Sequence, residues 1–300
     1  MRKVTELLVV LTGPTASGKT EAALALVDDL PIEVISADSR QVYRGMDVGT
    51  AKPTAAERAR LPHHLIDIMD PHETYSAHRF VQDARRALDD IRRRGRLPLV
   101  VGGTGFYIKA LVEAALLAEV PPDATLRRDL EALQDREGVA GLAARLERAD
   151  PKRAASVDRA NPRRLIRAIE VAEGGGSAED SRPVPSSAIF AIDVPADVLA
   201  TRIERRVRDM YAGGLLEETR ALLDRGLPPE SPALTGVGYG EAAAVLAGSL
   251  TLDEAQRRTV SRTRQYARRQ RTWFRHQLSV HWRSSATIVE SLAAQLRGMH

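Results

Sequence analysis

The 300-residue chain contains no cysteine. That excludes disulfides, thiolate nucleophiles and cysteine-ligated metal centres. Long apolar runs are also missing. The longest, such as Leu7–Leu11 and Leu97–Val101, fall far short of the roughly 20 residues that span a bilayer. The N-terminal MRKVTELLVVLTG pairs cations with an apolar run in the manner of a signal peptide. It has no small-residue cleavage site and runs straight into a glycine loop, so a buried strand is expected, with no membrane association and a cytoplasmic location. Acidic residues are absent from QRRTVSRTRQYARRQRTWFR (256–275), although the net charge of the whole chain is only +4 and the pI about 9.5. Such asymmetry points to a polyanionic partner, with an arginine-rich solvated helix as the alternative.

What is present suits a globular protein: 43% apolar and 28% charged residues, mean hydropathy −0.26. The length allows one large domain, or one domain carrying an insertion. Residues 6–12 form an apolar run before the loop 13–18, and 19–29 continue with helical character. Ile32–Ser36 is short and β-branched, HHLIDIMD (63–70) suggests a further strand and its exit, and LPLVVGG (97–103) is the clearest buried strand. Between them, Ser76 caps an amphipathic helix that Gly95 ends, and TGFYIKALVEAAL is helical again. Alternation of this kind predicts an α/β fold, a parallel sheet flanked by helices, and the glycine loop GPTASGKT (13–20) after its first strand makes that fold P-loop NTPase-like. From 121 to about 173 only helical periodicity remains, followed by the polar stretch 174–187; strand character returns at 189–194, then a long helical region, with SVHW (279–282) as a last strand. Residues 1–120 and 188–300 are therefore expected to form the α/β core with C-terminal helices, and 121–187 an inserted helical domain. No internal repeat is visible.

Gly13-Pro14-Thr15-Ala16-Ser17-Gly18-Lys19-Thr20 fits G-x-x-x-x-G-K-S/T at every required position. The glycines let backbone N–H groups converge on phosphate oxygens, and the helix N-terminus adds its positive end. Lys19 supplies a point charge and the Thr20 hydroxyl a ligand for magnesium. Such loops serve kinases, GTPases and motors alike. A nucleotide hydrolase also places an acid at the end of an apolar strand, yet Leu97–Val101 runs into Gly102-Gly103-Thr104-Gly105. The carboxylate is found instead at Asp38, just past the second strand. Ligands of open α/β sheets bind beyond the strand C-termini, so Asp38, Thr104 and the loop should face one crevice, as base and hydroxyl beside a phosphate site. A turn acid and a helix N-cap are the plainer readings of these two residues.

GPTASGKT is followed in order by DSRQVYRGMDVGTAKP (38–53), PHHLID (62–67), YSAHRF (75–80), GGTGFYIKAL (102–111), NPRRLIRAIEV (161–171), RIERRV (202–207), GVGY (236–239) and RRQRTWFR (268–275). Together these closely resemble the bacterial tRNA dimethylallyltransferase family, over residues 6 to about 282. The resemblance implies that the loop binds the diphosphate of dimethylallyl diphosphate and that N6 of the adenosine beside the anticodon, position 37 of tRNAs reading codons that begin with U, attacks the allylic carbon. It implies Mg2+ as cofactor, Asp38 as general base, Thr104 at the target nucleotide and Arg206 as a second diphosphate cation, with Arg202 one turn away as the other choice. It further implies that Asp38, Ser39, Arg40 and Gln41 meet the target loop, that Arg127, Arg163, Arg164 and Arg167 touch RNA from the insertion, and that Gly238, Tyr239, Arg268, Arg269, Gln270, Arg271, Thr272, Trp273 and Arg275 contact the anticodon stem-loop. Trp273 could instead sit in the core. A monomer is expected.

The arginine run has its own geometry. Arg257, Arg264, Arg268, Arg271 and Arg275 lie at steps of seven, four, three and four, one stripe of a helix, while Val260, Thr263, Ala267, Gln270 and Phe274 form a packing face. A cationic ridge can track RNA phosphates, and an adenine must leave its stack to present N6. Three departures from the family pattern stand out: Gly240 replaces a basic residue after GVGY, AALLAEVPP (114–122) lacks the usual Gly-Leu, and 174–187 replaces a more regular segment. His63 and His64 have no partner at metal-ligand spacing. The rival readings are a P-loop small-molecule kinase, a non-catalytic RNA-binding protein with a switch loop, and an adenylate isopentenyltransferase, which leaves the basic tail without a role.

Overall fold

The computed structural model describes residues 7–113, 123–174 and 186–299. Six strands, β1 (Leu8–Thr12), β2 (Ile32–Ser36), β3 (His63–His64), β4 (Leu97–Val101), β5 (Ser187–Asp193) and β6 (His281–Ser284), form one sheet in the order β3-β2-β4-β1-β5-β6. Every pairing in it is parallel. In chain order the helices are α1 (Lys19–Leu24), α2 (Ala55–Arg60), α3 (Ala77–Arg93), α4 (Gly105–Val112), α5 (Ala124–Ala149) and α6 (Pro151–Ser156). They continue with α7 (Pro162–Glu173), α8 (Ala196–Ala212), α9 (Leu215–Asp224), α10 (Tyr239–Leu246), α11 (Leu252–Gln277) and α12 (Ile288–Arg297). The chain divides into one unit of Met1–Glu113 with Val184–His300, and a second of Ala114–Pro183.

All residues of β1 and β2 are buried, as parallel strands covered on both faces require. The register pairs Leu11 with Val101 and Ser36 with Val101, which brings the C-terminal ends of β1, β2 and β4 level. The segments following these three strands therefore emerge side by side. α3 shows why its sequence folds locally: Ser76 Oγ accepts from Arg79 N at 3.1 Å, Gly95 takes φ 68° after the last turn, and Phe80, Ala84, Leu88 and Ile91 bury one face. Each such large side chain contributes about 2 kcal/mol through burial.

The short strand expected within 63–70 is His63–His64, and its exit begins where Leu65 and Asp67 adopt φ 62° and 58°, outside the β region. Two other sequence expectations are revised. Helix α1 ends at Leu24 and gives way to turns, not at Asp29. The last strand runs Arg283 and Ser284 beyond the expected 279–282 window, since Phe190–Asp193 of β5 pair with His281–Ser284.

In the second unit α5 is interrupted at Gly138, and Leu130, Leu142, Leu146, Leu165 and Ile169 form its core. Glu170, only 1% exposed, receives Arg127 Nε at 2.5 Å and Arg167 Nη1 at 3.1 Å. The departure at 114–122, and residues 175–185 of the one at 174–187, lie outside the described residues.

Candidate active site

The loop after β1 is shaped by Gly13 (φ 140°), Gly18 (φ 94°) and, unusually for a residue with a side chain, Ala16 (φ 62°). Lys19 Nζ donates to the carbonyls of Gly13 and Pro14 at 3.1 and 2.9 Å. Burial lowers its pKa to about 8; the Arg206 charge acts in the same direction, against Asp38 and Glu21. Ser17 Oγ is buried and has no hydrogen-bond partner among the described residues. Thr20 faces the adjoining cleft, and its hydroxyl makes no hydrogen bond among the described residues. The loop is held from outside by Gln270 of α11, which accepts from Thr15 N at 2.8 Å and donates to Gly103 O at 2.9 Å.

The cleft has a volume of about 900 Å³ and is walled by the loop, Asp38, Gln41, Arg202, Arg206 and Tyr266. Both arginines considered for the second diphosphate cation therefore reach it. Arg202 donates to Ser17 O at 3.2 Å and Arg206 to Thr50 O at 3.4 Å. Burial also lowers the Arg206 pKa, opposed by Asp38 and Glu21. Half-buried Lys19 and Arg206, with the exposed Arg202 beside them, make a strong anion site.

Asp38 and Thr104 meet because β2 and β4 pair in register. Ala37 N donates to Val101 O at 2.8 Å and Thr104 N to Ala37 O at 3.1 Å. This crossing needs Gly102, where a Cβ would lie 2.1 Å from Ala37 O. Asp38 Oδ1 accepts from Arg40 N and Gln41 N at 2.8 and 3.3 Å, while Oδ2 accepts no hydrogen bond among the described residues. The turn reading is thus half right, and one carboxylate oxygen stays available. Thr104 is the N-cap of α4 yet makes no capping bond; its Oγ1 accepts from Ser39 N at 3.0 Å. It stands beside the cleft and does not line it.

The residues assigned to RNA fare differently. Tyr239 is 1% exposed and Gly238 is buried with it, so neither presents a side chain at the surface. Gln270 is 7% exposed and is spent on the loop contacts given above. Trp273 is half-buried, seated where a Cβ on Gly105 would lie 2.3 Å from its ring, and edge-on to Phe274 at 5.3 Å. Arg40 donates to Pro232 O and to Thr235 Oγ1, the latter at 3.0 Å. Gln41 Nε2 donates to the carbonyls of Thr50 and Ala51, each at 3.3 Å. Within the arginine stripe, Arg264 pairs with Glu204 at 2.5 Å, Arg271 pairs with Asp193 and Arg275 lies 5.5 Å from the Trp282 ring. Arg257 and Arg268 are exposed and have no ion-pair partner among the described residues. Arg269 sits over Tyr266 at 5.9 Å, and Thr272 is exposed. The packing face includes Thr259 where Val260 was expected. In the second unit Arg127 and Arg167 are engaged by Glu170, whereas Arg163 and Arg164 are exposed, Arg164 lying 3.7 Å from Asp158 Oδ2.

Sequence reasoning missed Tyr266, whose hydroxyl is pushed up to about 12 by burial and by Asp38. Helical spacing from Gln270 was the only available signal. It also missed Phe106, 54% exposed two residues after Thr104. His64 Nε2 bonds Glu33 at 2.6 Å and His63 Nδ1 bonds Leu61 O at 2.6 Å.

Residues 41–277 match the family described as IPP transferase, and 6–67 match one described as isopentenyl transferase. A protein of Anaeromyxobacter dehalogenans named tRNA dimethylallyltransferase is 46% identical over 297 residues, covering 96% of this chain and 98% of its own. One of the same name from Thermomicrobium roseum is 45% identical over 280 residues, covering 92% and 85%. Among solved structures, the tRNA isopentenylpyrophosphate transferase of Bacillus halodurans superposes with TM-score 0.72 at 39% identity, covering 98% of this chain and 96% of that one. A eukaryotic dimethylallyltransferase solved in action on tRNA superposes with TM-score 0.76 at 25% identity, covering 98% and 77%.

Proposed function

The chain belongs to the IPP transferase family, and from that premise we propose that it transfers the dimethylallyl group of dimethylallyl diphosphate to N6 of an adenosine beside the anticodon of tRNA. The carrying observation is the cleft that joins the phosphate loop, Arg206 and the free Oδ2 of Asp38. In the reaction N6 attacks the allylic C1, the C1–O bond breaks and diphosphate leaves. Diphosphate departs readily only when its charge is neutralised, which Lys19, Arg206 and the loop amides supply. Asp38 takes the proton that N6 loses, a role typically worth 10²–10⁴ in rate. Thr104 holds the turn at Ser39, and with it the approach of the nucleoside.

Magnesium fits this donor set. Thr20 offers in the cleft a hydroxyl with no hydrogen bond among the described residues, a hard oxygen ligand of the kind magnesium takes together with substrate phosphates. Among the described residues no group of three or more His, Cys, Asp or Glu could hold a metal, so the ion would be held by Thr20, the diphosphate and water. Bound there, it would neutralise charge on the leaving diphosphate.

RNA affinity is assigned to the exposed Arg257, Arg268 and Arg269 of α11, with Arg163 and Arg164 of the second unit. No helix among the described residues is long and apolar enough to cross a membrane. We take the protein to act in the cytoplasm as a monomer. Incubation with magnesium and either dimethylallyl diphosphate plus tRNA or ATP plus small acceptors separates the readings. Prenyl transfer to tRNA is expected, and phosphoryl transfer from ATP to a small acceptor would replace this reading by the kinase one. Prenylation of free AMP in preference to tRNA would favour the adenylate isopentenyltransferase.

A further inference from the structure

Glu218 of α9 reaches across about 170 positions of sequence to a turn it does not adjoin. Its Oε2 accepts from Asp47 N at 2.6 Å and Val48 N at 2.8 Å, and its Oε1 accepts from Gly49 N at 3.0 Å. The same Oε1 accepts from the hydroxyl of the buried Tyr239 at 2.6 Å. Burial, followed by the Glu218 charge, raises the Tyr239 pKa, so the phenol stays a proton donor. The Tyr239 ring closes over Gly49, where a Cβ would lie 2.4 Å from it. One carboxylate therefore gathers three consecutive amides and is itself oriented by a phenol that packs on the same turn.

What this turn holds gives the arrangement a function. Past Gly49, the carbonyl of Thr50 accepts from both Gln41 Nε2 (3.3 Å) and Arg206 Nη2 (3.4 Å), and Ala51 O accepts from Gln41 Nε2 (3.3 Å). Lys52 Nζ closes the far end on Asp47 at 2.6 Å, Asp67 at 2.5 Å and Tyr43 O. The turn thus touches one residue on the nucleoside side of the cleft, Gln41, and one on the diphosphate side, Arg206. We propose that Glu218, oriented by Tyr239, is a positioning residue: it fixes the Asp47–Ala51 turn so that Gln41 and Arg206 hold the two substrates in mutual register. The inference rests on the prenyl-transfer reading above.

Glu218→Gln keeps the shape and replaces an acceptor oxygen by an amide NH2 that confronts backbone N–H groups. A displacement on the scale of 1 Å far from the chemistry costs about a hundredfold when it misaligns reactants. Steady-state kinetics with tRNA and dimethylallyl diphosphate should show kcat reduced about tenfold to a hundredfold, with KM for each substrate nearly unchanged. Tyr239→Phe, which keeps the ring on Gly49 and deletes one bond to Oε1, should lose only a few-fold in kcat. Activities are taken per folded protein, from thermal melts run in parallel. Wild-type turnover in the same assay tests the prenyl-transfer reading by itself. With that turnover present, an unchanged kcat in Glu218→Gln overturns the positioning role, as does a loss that merely tracks the folded fraction or falls on KM alone.

Discussion

Diphosphate binding should weaken with rising pH in a way that Lys19 sets. Its ammonium titrates at about 8 in the free protein, against 10.5 unperturbed, because burial and then Arg206 oppose its charge. A diphosphate in the loop favours the charged form and moves that pKa upward. Affinity is then constant below pH 8 and falls tenfold per pH unit above it. Between about pH 7 and 9.5 the Kd rises roughly thirtyfold, about 2 kcal/mol. An unreactive diphosphate monoester at fixed magnesium suits the titration calorimetry, since its terminal phosphate ionises near pH 6, well below the window. Arg206→Met removes one of the two opposing influences and should shift the bend to higher pH. Lys19→Met should abolish the bend. A flat profile in the wild type, or an equal slope in Lys19→Met, refutes the reasoning. Stability responds in the opposite direction: between about 8 and 10.5 the unfolded chain binds more protons, so the free protein gains stability as pH climbs through that window.

Asp38→Ala should nearly abolish prenyl transfer while tRNA binding, read by filter retention, stays within a few-fold; near-normal turnover defeats the base assignment. Arg268→Ala should lower the slope of log K against log salt by about one, because no carboxylate among the described residues engages Arg268. Arg271→Ala should leave that slope alone and lower the melting temperature, because its guanidinium is already paired with Asp193. Gln270→Leu breaks the bonds to Thr15 N and Gly103 O and strands the buried Gly103 carbonyl, at a cost of about 1–3 kcal/mol, along with the half-buried Thr15 amide. A raised KM for dimethylallyl diphosphate, larger than that for tRNA, is the expected signature.

The features legible in sequence were those fixed by neighbours along the chain. The loop from Gly13 to Thr20 declares itself because its geometry needs glycine and lysine at set spacing. Asp38 and Thr104 were placed together because each follows a strand of one parallel sheet, and strand ends share an edge. The opposite holds for Glu218, whose three amide partners lie about 170 residues away; nothing in LLEET distinguishes it from any surface glutamate of an amphipathic helix. Tyr239 is the converse case. The resemblance implies an RNA contact for it, and only Gly49, with no side chain to obstruct the ring, shows why its side chain is buried. The arginine stripe was foreseen as one ridge, but helical periodicity says nothing of Glu204 and Asp193, which engage two of its members. The short β3 and its exit were foreseen, but where the exit starts was not, since no composition rule marks Leu65 or Asp67 for positive φ.

The central claim is that a phosphate loop here grips a leaving diphosphate beside a base that deprotonates an RNA adenosine. The most direct measurement is mass spectrometry of nucleosides from tRNA incubated with the protein, magnesium and dimethylallyl diphosphate, alongside Lys19→Met and Asp38→Ala. The expected result is one five-carbon group gained on the adenosine beside the anticodon in the wild type and essentially none in either variant. Unmodified tRNA with the wild-type protein, or equal modification by all three, would contradict it.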